Sequence, residues 1–154
     1  MTMSDRFTID TNILIYSVDV DSPAKQKRAL ELMDRALTGD CVLMLQSLAE
    51  FHHAVTRKGL MSRADATSVL DAWMGVFPTA GYGDETLKRA FKSSIKRQGA
   101  IWDLLLIETA RDAGCRWILS EDVHDGADFG GVIVRNPLSG KVLPADLVQA
   151  LRID

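Results

Sequence analysis

The chain has 154 residues, of which 47% are hydrophobic and 25% charged, and its formal net charge is −3. This balance fits a single domain, 1–154, whose core needs no disulfide or structural metal, and it excludes bulk disorder. A surface basic throughout is excluded as well. No stretch approaches the roughly 18–20 apolar residues of a membrane span, and Met1 to Arg6 is too short and polar for a secretory signal, so a cytoplasmic protein is expected.

The first apolar run, FTI (7–9), reads as a strand ending at Asp10, and ILIY carries the apolar character into a helix. Ser22-Pro23 opens a helix to about Leu37, with proline tolerated in its first turn and Ala29, Leu32, Met33 and Ala36 at helical spacing. After the turn at Thr38-Gly39-Asp40, CVLML (41–45) is apolar throughout, as a strand covered on both faces is. Helices are expected from Ser47 to about Lys58, stopping at Gly59, and from Ser62 or Ala64 to about Val76. Residues 77–83 are a Pro/Gly-rich connection with room for a short strand. Asp84 to Gln98 is helical up to Gly99, and Trp102 to Asp112 is a Leu- and Ile-rich helix closed by Gly114. CRWILS (115–120) is a strand, 121–131 a polar loop, VIV (132–134) the last strand and 144–151 a short final helix. Strands alternating with helices predict an α/β fold, a three-layer sandwich with a mainly parallel central sheet flanked by helices.

Open sheets of this kind bind ligands beyond the carboxyl ends of their strands. Asp10 follows FTI and Asp122 follows WILSE, while Glu50 and Asp103 fall in expected first helical turns, which begin at the same edge. Four converging carboxylates raise one another's pKa, and a divalent cation relieves the repulsion. Hard oxygen donors suit Mg²⁺ or Mn²⁺, and such a centre suits phosphodiester hydrolysis. Each acid has a local reading too. Glu50 stands three residues after Ser47, the spacing of a capping box; Asp103 complements a helix dipole; Asp10 and Asp122 are turn formers. Asp10 resists that reading most, because it lies between two apolar runs, where a charge needs a partner.

The motifs around these acids resemble the PIN-domain nucleases: FTIDTNILIYSVD their opening strand and Asp-Thr-Asn turn, LQSLAEFHHAVTRKG their second acidic motif, and IWDLLLIETARDAGCRWILSEDVHDG their third and fourth. The resemblance runs from about Phe7 to Pro137 with the motifs in order, and is strongest to the small VapC-type toxins. It implies a PIN-like fold, Mg²⁺- or Mn²⁺-dependent endonucleolytic cleavage of RNA, a homodimer, and a small antitoxin that occludes the site. It also implies Asp10, Glu50, Asp103 and Asp122 as metal ligands, with Asp125 as an outer ligand. Asn12 and Ser120 match polar positions that orient the carboxylates. Ser120 stands where the family often has Thr, and the segment EDVHDGADFGGVIVRNP is longer than the minimal toxin ending.

Cys41 and Cys115 lie in apolar runs and read as buried thiols. The basic residues of 88–97 and the pair Arg57 and Lys58 read as solvated helix faces. His52, His53 and His124 read as surface groups, with contact to RNA as the alternative for His53 and His124. Trp73, Trp102 and Trp117 read as core or interface residues, with base stacking as the alternative for Trp102. Phosphate-loop, dinucleotide-binding and nucleophile-elbow motifs are absent. Asp10 lacks the second Asp of a haloacid-dehalogenase phosphatase, and no strand ends in the Lys of a phosphoacceptor receiver. The alternative to the nuclease is a catalytically silent PIN-like module that binds RNA or protein. The dimer contact is expected on the paired helices after Ser47 and Ser62.

Overall fold

A computed structural model describes residues 5–154; the expectation of a polar N-terminus lies largely outside the described residues. The elements are β1 (Phe7–Ile9), α1 (Thr11–Tyr16), α2 (Pro23–Ala36), β2 (Leu43–Met44), α3 (Leu45–Arg57), α4 (Arg63–Val76), β3 (Thr79–Ala80), α5 (Asp84–Lys96), α6 (Ile101–Asp112), β4 (Trp117–Leu119), β5 (Asp128–Phe129), β6 (Val132–Arg135) and α7 (Ala145–Leu151).

The strands β1, β4 and β6 are parallel neighbours, and β5 closes the edge antiparallel to β6. A parallel bridge from Phe7 to Cys41 joins β1 to the two-stranded parallel pair of β2 and β3, so the sheet continues on the other side of β1. Side chains alternate along these strands and divide the core in two. Phe7, Ile9, Leu43 and Leu119 meet Ile13, Leu14, Leu32, Phe51 and Leu147 on one face. Val42, Met44, Ile118, Val132 and Val134 meet Leu106, Ile107 and Ala110 of α6 on the other. The predicted three-layer α/β sandwich with a mainly parallel sheet is therefore the observed fold.

Several boundaries differ from expectation. The CVLML strand shrinks to β2, because the chain turns into α3 at Leu45, two residues before Ser47. Ser47 lies buried inside the helix, so the capping box with Glu50 does not form and Glu50 sits in the second turn. Within the expected loop 121–131, Gly130 and Gly131 adopt φ of 66° and 98°, and Phe129 pairs with Val132 across them. Two successive positive φ values make the tight turn that suits a two-residue hairpin, and Asp128 Oδ1 accepts from Gly131 N at 2.8 Å. The fifth helix ends at Lys96 rather than Gln98. Among the described residues, no helix is long and apolar enough to cross a membrane.

Both cysteines are buried and free as expected, and burial pushes their thiols well above the ordinary range. The Trp73 ring meets Phe51 edge-on at 4.8 Å, and Trp117 packs against the same core. Trp102 instead is 58% exposed, which excludes a core role.

Candidate active site

The chain runs from β1 through α1 and α2 to β2 on one side, while β4 flanks β1 on the other. Connections thus diverge between β1 and β4, where open α/β sheets form a crevice at their carboxyl ends. Asp10 sits at this point. Its backbone is extended and it caps α1, Oδ1 accepting from Thr11 N at 2.7 Å. Ile9 is in register with Leu119, so Asp10 and Ser120 leave their strands side by side. The fully buried Ser120 donates its hydroxyl to Asp10 Oδ2 at 2.8 Å. The same Oγ accepts from Asn12 Nδ2 at 3.1 Å and from Asp122 N at 3.2 Å, while Asn12 Oδ1 accepts from Glu121 N at 3.4 Å. One serine hydroxyl therefore ties together the ends of β1 and β4, the first turn of α1 and the loop that carries Asp122.

Glu50 reaches the crevice from α3. Its Oε2 accepts from Thr11 Oγ1 at 3.0 Å and its Oε1 from Gln46 Nε2 at 3.0 Å. Gln46 Nε2 also donates to Trp102 O at 3.1 Å, which pins the start of α6 beside the start of α3. Asp103 is the third residue of α6 and is exposed, as Glu50 and Asp122 are.

The charges of Glu50 and Asp122 act on both Asp10 and Asp103. Burial pushes the Asp10 carboxyl up to about 6; the bonds from Ser120 and Thr11 oppose this, and the charges of Asp122 and Glu50 add to it. Asp103, though exposed, is partly desolvated, and this raises its carboxyl first, followed by the charges of Asp122 and Glu50. Among the described residues, none of the ion pairs includes any of the four. Their hydrogen-bond donors are neutral hydroxyls and amides. This all-oxygen set, with charge left uncompensated, suits a hard divalent cation. As the side chains stand, no three of the described His, Cys, Asp or Glu groups lie close enough together to hold a metal ion.

Asp125 is engaged elsewhere. Its Oδ1 accepts from Arg135 Nε at 3.2 Å and from Asn136 N at 2.9 Å, and Arg135 also pairs with Asp146 at 3.1 Å. Asp125 is thus a brace between the long loop and the end of β6. His124 is exposed in the same loop, while His53 lines a groove beside Glu50. The basic segment 88–97 is partly neutralised internally: Lys88 pairs with Glu85, and Arg89 with both Glu108 and Asp112.

Sequence reasoning missed Thr11, Gln46 and a cluster behind the Asp122 loop. Tyr16 donates its hydroxyl to Glu121 Oε1 at 2.6 Å, and Lys25 pairs with Glu121 Oε2 at 2.9 Å while lying over the Tyr16 ring. Burial raises the Glu121 carboxyl, but these bonds outweigh it and hold the group below its ordinary range. The signal for Thr11 was its place inside D-T-N; nothing in the sequence connects Tyr16 or Lys25 to residue 121.

Residues 7–124 match the family model described as the PIN domain. No curated protein matches the sequence. The fold is similar to that of VapC20 from Mycobacterium tuberculosis, described as a sarcin-ricin loop cleaving toxin, at 13% identity and a TM-score of 0.60, over 75% of this chain and 89% of that one. It is similar to VapBC2 from Rickettsia felis, solved bound to a promoter DNA fragment, at 14% identity and 0.61, over 85% and 98%. FitAcB from Neisseria gonorrhoeae matches at 16% identity and 0.55, over 86% and 99%.

Proposed function

This chain belongs to the PIN-domain family, and we propose that it is an endoribonuclease that hydrolyses RNA phosphodiester bonds with Mg²⁺ or Mn²⁺. PIN-domain nucleases generally use divalent metal ions. The observation that carries the reading here is that the charges of Glu50 and Asp122 act on both Asp10 and Asp103 at the crevice between β1 and β4, with no ion-pair partner for any of the four among the described residues. These four residues are the proposed metal ligands. A bound divalent cation would lower the pKa of an attacking water and stabilise charge on the phosphate. The chain's own part is orientation. Ser120 and Thr11 fix the two oxygens of Asp10, Thr11 and Gln46 fix those of Glu50, and Asn12 holds the loop of Asp122 through Glu121 N. Asp125 is given a bracing role through Arg135 in place of a ligand role.

The deciding experiment is cleavage of a mixed, structured RNA by purified protein with Mn²⁺, Mg²⁺ or chelator, beside Asp10→Asn. Metal-dependent cutting that disappears in the variant supports the nuclease. Full activity in the variant refutes the assigned site, and tight RNA binding with no cutting under any metal favours the silent binding module.

The likeness to VapC20, VapBC2 and FitAcB across nearly their whole length supports a narrower reading: a cytoplasmic toxin of a toxin–antitoxin pair, acting as a homodimer and restrained by a small antitoxin. On the two helices expected to make the dimer contact, the exposed large apolar side chains among the described residues are Leu45 of α3 and Met74 and Val76 of α4, and α5 adds Phe91 and Ile95. Induction of the protein should arrest growth, and co-expression of a small neighbouring partner should restore it. A monomer mass that holds at every concentration would exclude the dimer.

A further inference from the structure

Beside Glu50 lies a groove of about 640 Å³, walled by Thr11, Gln46, Ala49, Glu50, His53 and Trp102. Its lining is mostly apolar although it adjoins the acids. Trp102, immediately before Asp103, is 58% exposed there, and its carbonyl is held by the same Gln46 amide that holds Glu50. Gln46 Oε1 is enclosed without a donor among the described residues. The groove shares His53 with a second hollow of about 330 Å³, lined by Thr56, Arg57, Ser62 and Arg63. Arg57 and Arg63 are exposed and have no ion-pair partner among the described residues.

The surface beside Glu50 therefore presents an exposed indole and a small apolar floor, with two guanidinium groups lining the adjoining hollow. That sequence of chemistries matches a single nucleic-acid strand: a phosphate at the acid site, an unstacked base in the groove, and the following phosphate between the arginines. An apolar peptide would satisfy the groove but leave the arginines unmatched. We propose that Trp102 is the platform on which one unpaired base of the RNA stacks next to the scissile phosphate, and that Arg57 and Arg63 hold the backbone beyond it. The assignment rests on the ribonuclease reading for its substrate and names how that site selects single strands. Arg57, read from the sequence as part of a solvated face, becomes a backbone contact.

The experiment uses a short single-stranded RNA of mixed sequence that the wild-type protein binds, and versions with an abasic residue at each position in turn, read by binding and, where a metal supports it, by cutting. One abasic position is expected to lower kcat/KM roughly ten-fold, the loss of one base–aromatic stack, in wild type and not in Trp102→Ala, whereas Trp102→Phe retains the preference. Binding of the same RNAs to Asp10→Asn protein should show the same dependence on Trp102. The double variant Arg57→Ala, Arg63→Ala should lower the slope of log affinity against log salt by about 0.7 for each phosphate no longer held. If Trp102→Ala cuts and binds intact and abasic RNA as wild type does, or if the arginine variants leave the salt slope unchanged, the proposal fails. If no metal supports cutting but binding still depends on Trp102 and the base, the ribonuclease reading fails and the base site stands. Competition for the groove by an apolar peptide, with RNA binding unaltered by any of these changes, would assign the groove to a protein partner and overturn the proposal.

Discussion

Replacing Asp10 by Asn should stabilise the metal-free protein, by an amount that depends on pH. Burial and the charges of Asp122 and Glu50 raise the Asp10 carboxyl from 3.8 to about 6. A carboxyl whose folded pKa exceeds its unfolded one binds its proton more tightly when folded. Stability therefore falls as pH rises from about 4 to about 6 and is level above that. A shift of roughly two pKa units corresponds to a penalty of about 3 kcal/mol at pH 8. The substitution recovers less than this. Ser120 Oγ donates to Asp10 Oδ2 and already accepts from Asn12 and Asp122, so it has no lone pair left for the side-chain amide of the variant. With about 1 kcal/mol lost there, a net gain of about 2 kcal/mol remains. For a chain of this size that is an increase in Tm of about 4–8 °C. Thermal unfolding in chelator from pH 4 to 8, followed by circular dichroism, measures it. The variant should lead at pH 8 and lose its lead by pH 4, and Mg²⁺ or Mn²⁺ should raise the Tm of the parent more than that of the variant. A difference independent of pH, or a variant less stable at pH 8, would refute the picture of a strained, uncompensated carboxylate.

Ser120→Ala removes the donor to Asp10 and the acceptor for Asn12 and Asp122 N; a stability loss of about 2 kcal/mol is expected, with RNA cleavage falling at least about ten-fold, as denaturant titration and initial rates will show. Tyr16→Phe deletes the 2.6 Å bond to Glu121 and should cost about 1 kcal/mol; cleavage should fall several-fold through kcat with KM unchanged, since the cluster positions the Asp122 loop without touching RNA. Phe51→Ala opens a cavity under the edge-on contact with Trp73; at about 3–5 kcal/mol it should lower Tm by roughly 10 °C, which calorimetry reads directly.

The fold was legible where apolar periodicity and punctuation agree. Ala29, Leu32, Met33 and Ala36 mark α2, Ser62 caps α4, and FTI and WIL are the strands that carry the crevice. It was not legible where tertiary packing decides. CVLML is apolar to its last residue, and nothing local says that Leu45 begins a helix; in the structure β2 pairs with β3 over two residues and α3 follows at once. The short β5 was masked by its polar flank, although Gly130-Gly131 is itself a turn signal. At the site, the acids could be read because a charge set beside an apolar strand must find a partner or a cation. Their orienting partners could not, since Thr11 to Glu50 spans 39 positions and Tyr16 to Glu121 spans 105.

The division of labour among the acids follows from how each is attached. Asp10 is set by the backbone: it follows β1, caps α1, and has both oxygens engaged before any cation arrives. Glu50 and Asp103 are set by helices whose starts are linked through Gln46 and Trp102, so a shift of α6 carries into the side chain of Glu50. Asp122 is exposed on a loop held by Ser120, Asn12 and the Tyr16–Lys25–Glu121 cluster. Desolvation raises Asp103 as well as Asp10, and the rise is large at Asp10, the more enclosed of the two. On the proposed metal reading, such a centre would keep one carboxylate preorganised at the sheet and three at its rim, and the three would have to move to close on a cation, since no three acids stand close enough together among the described residues.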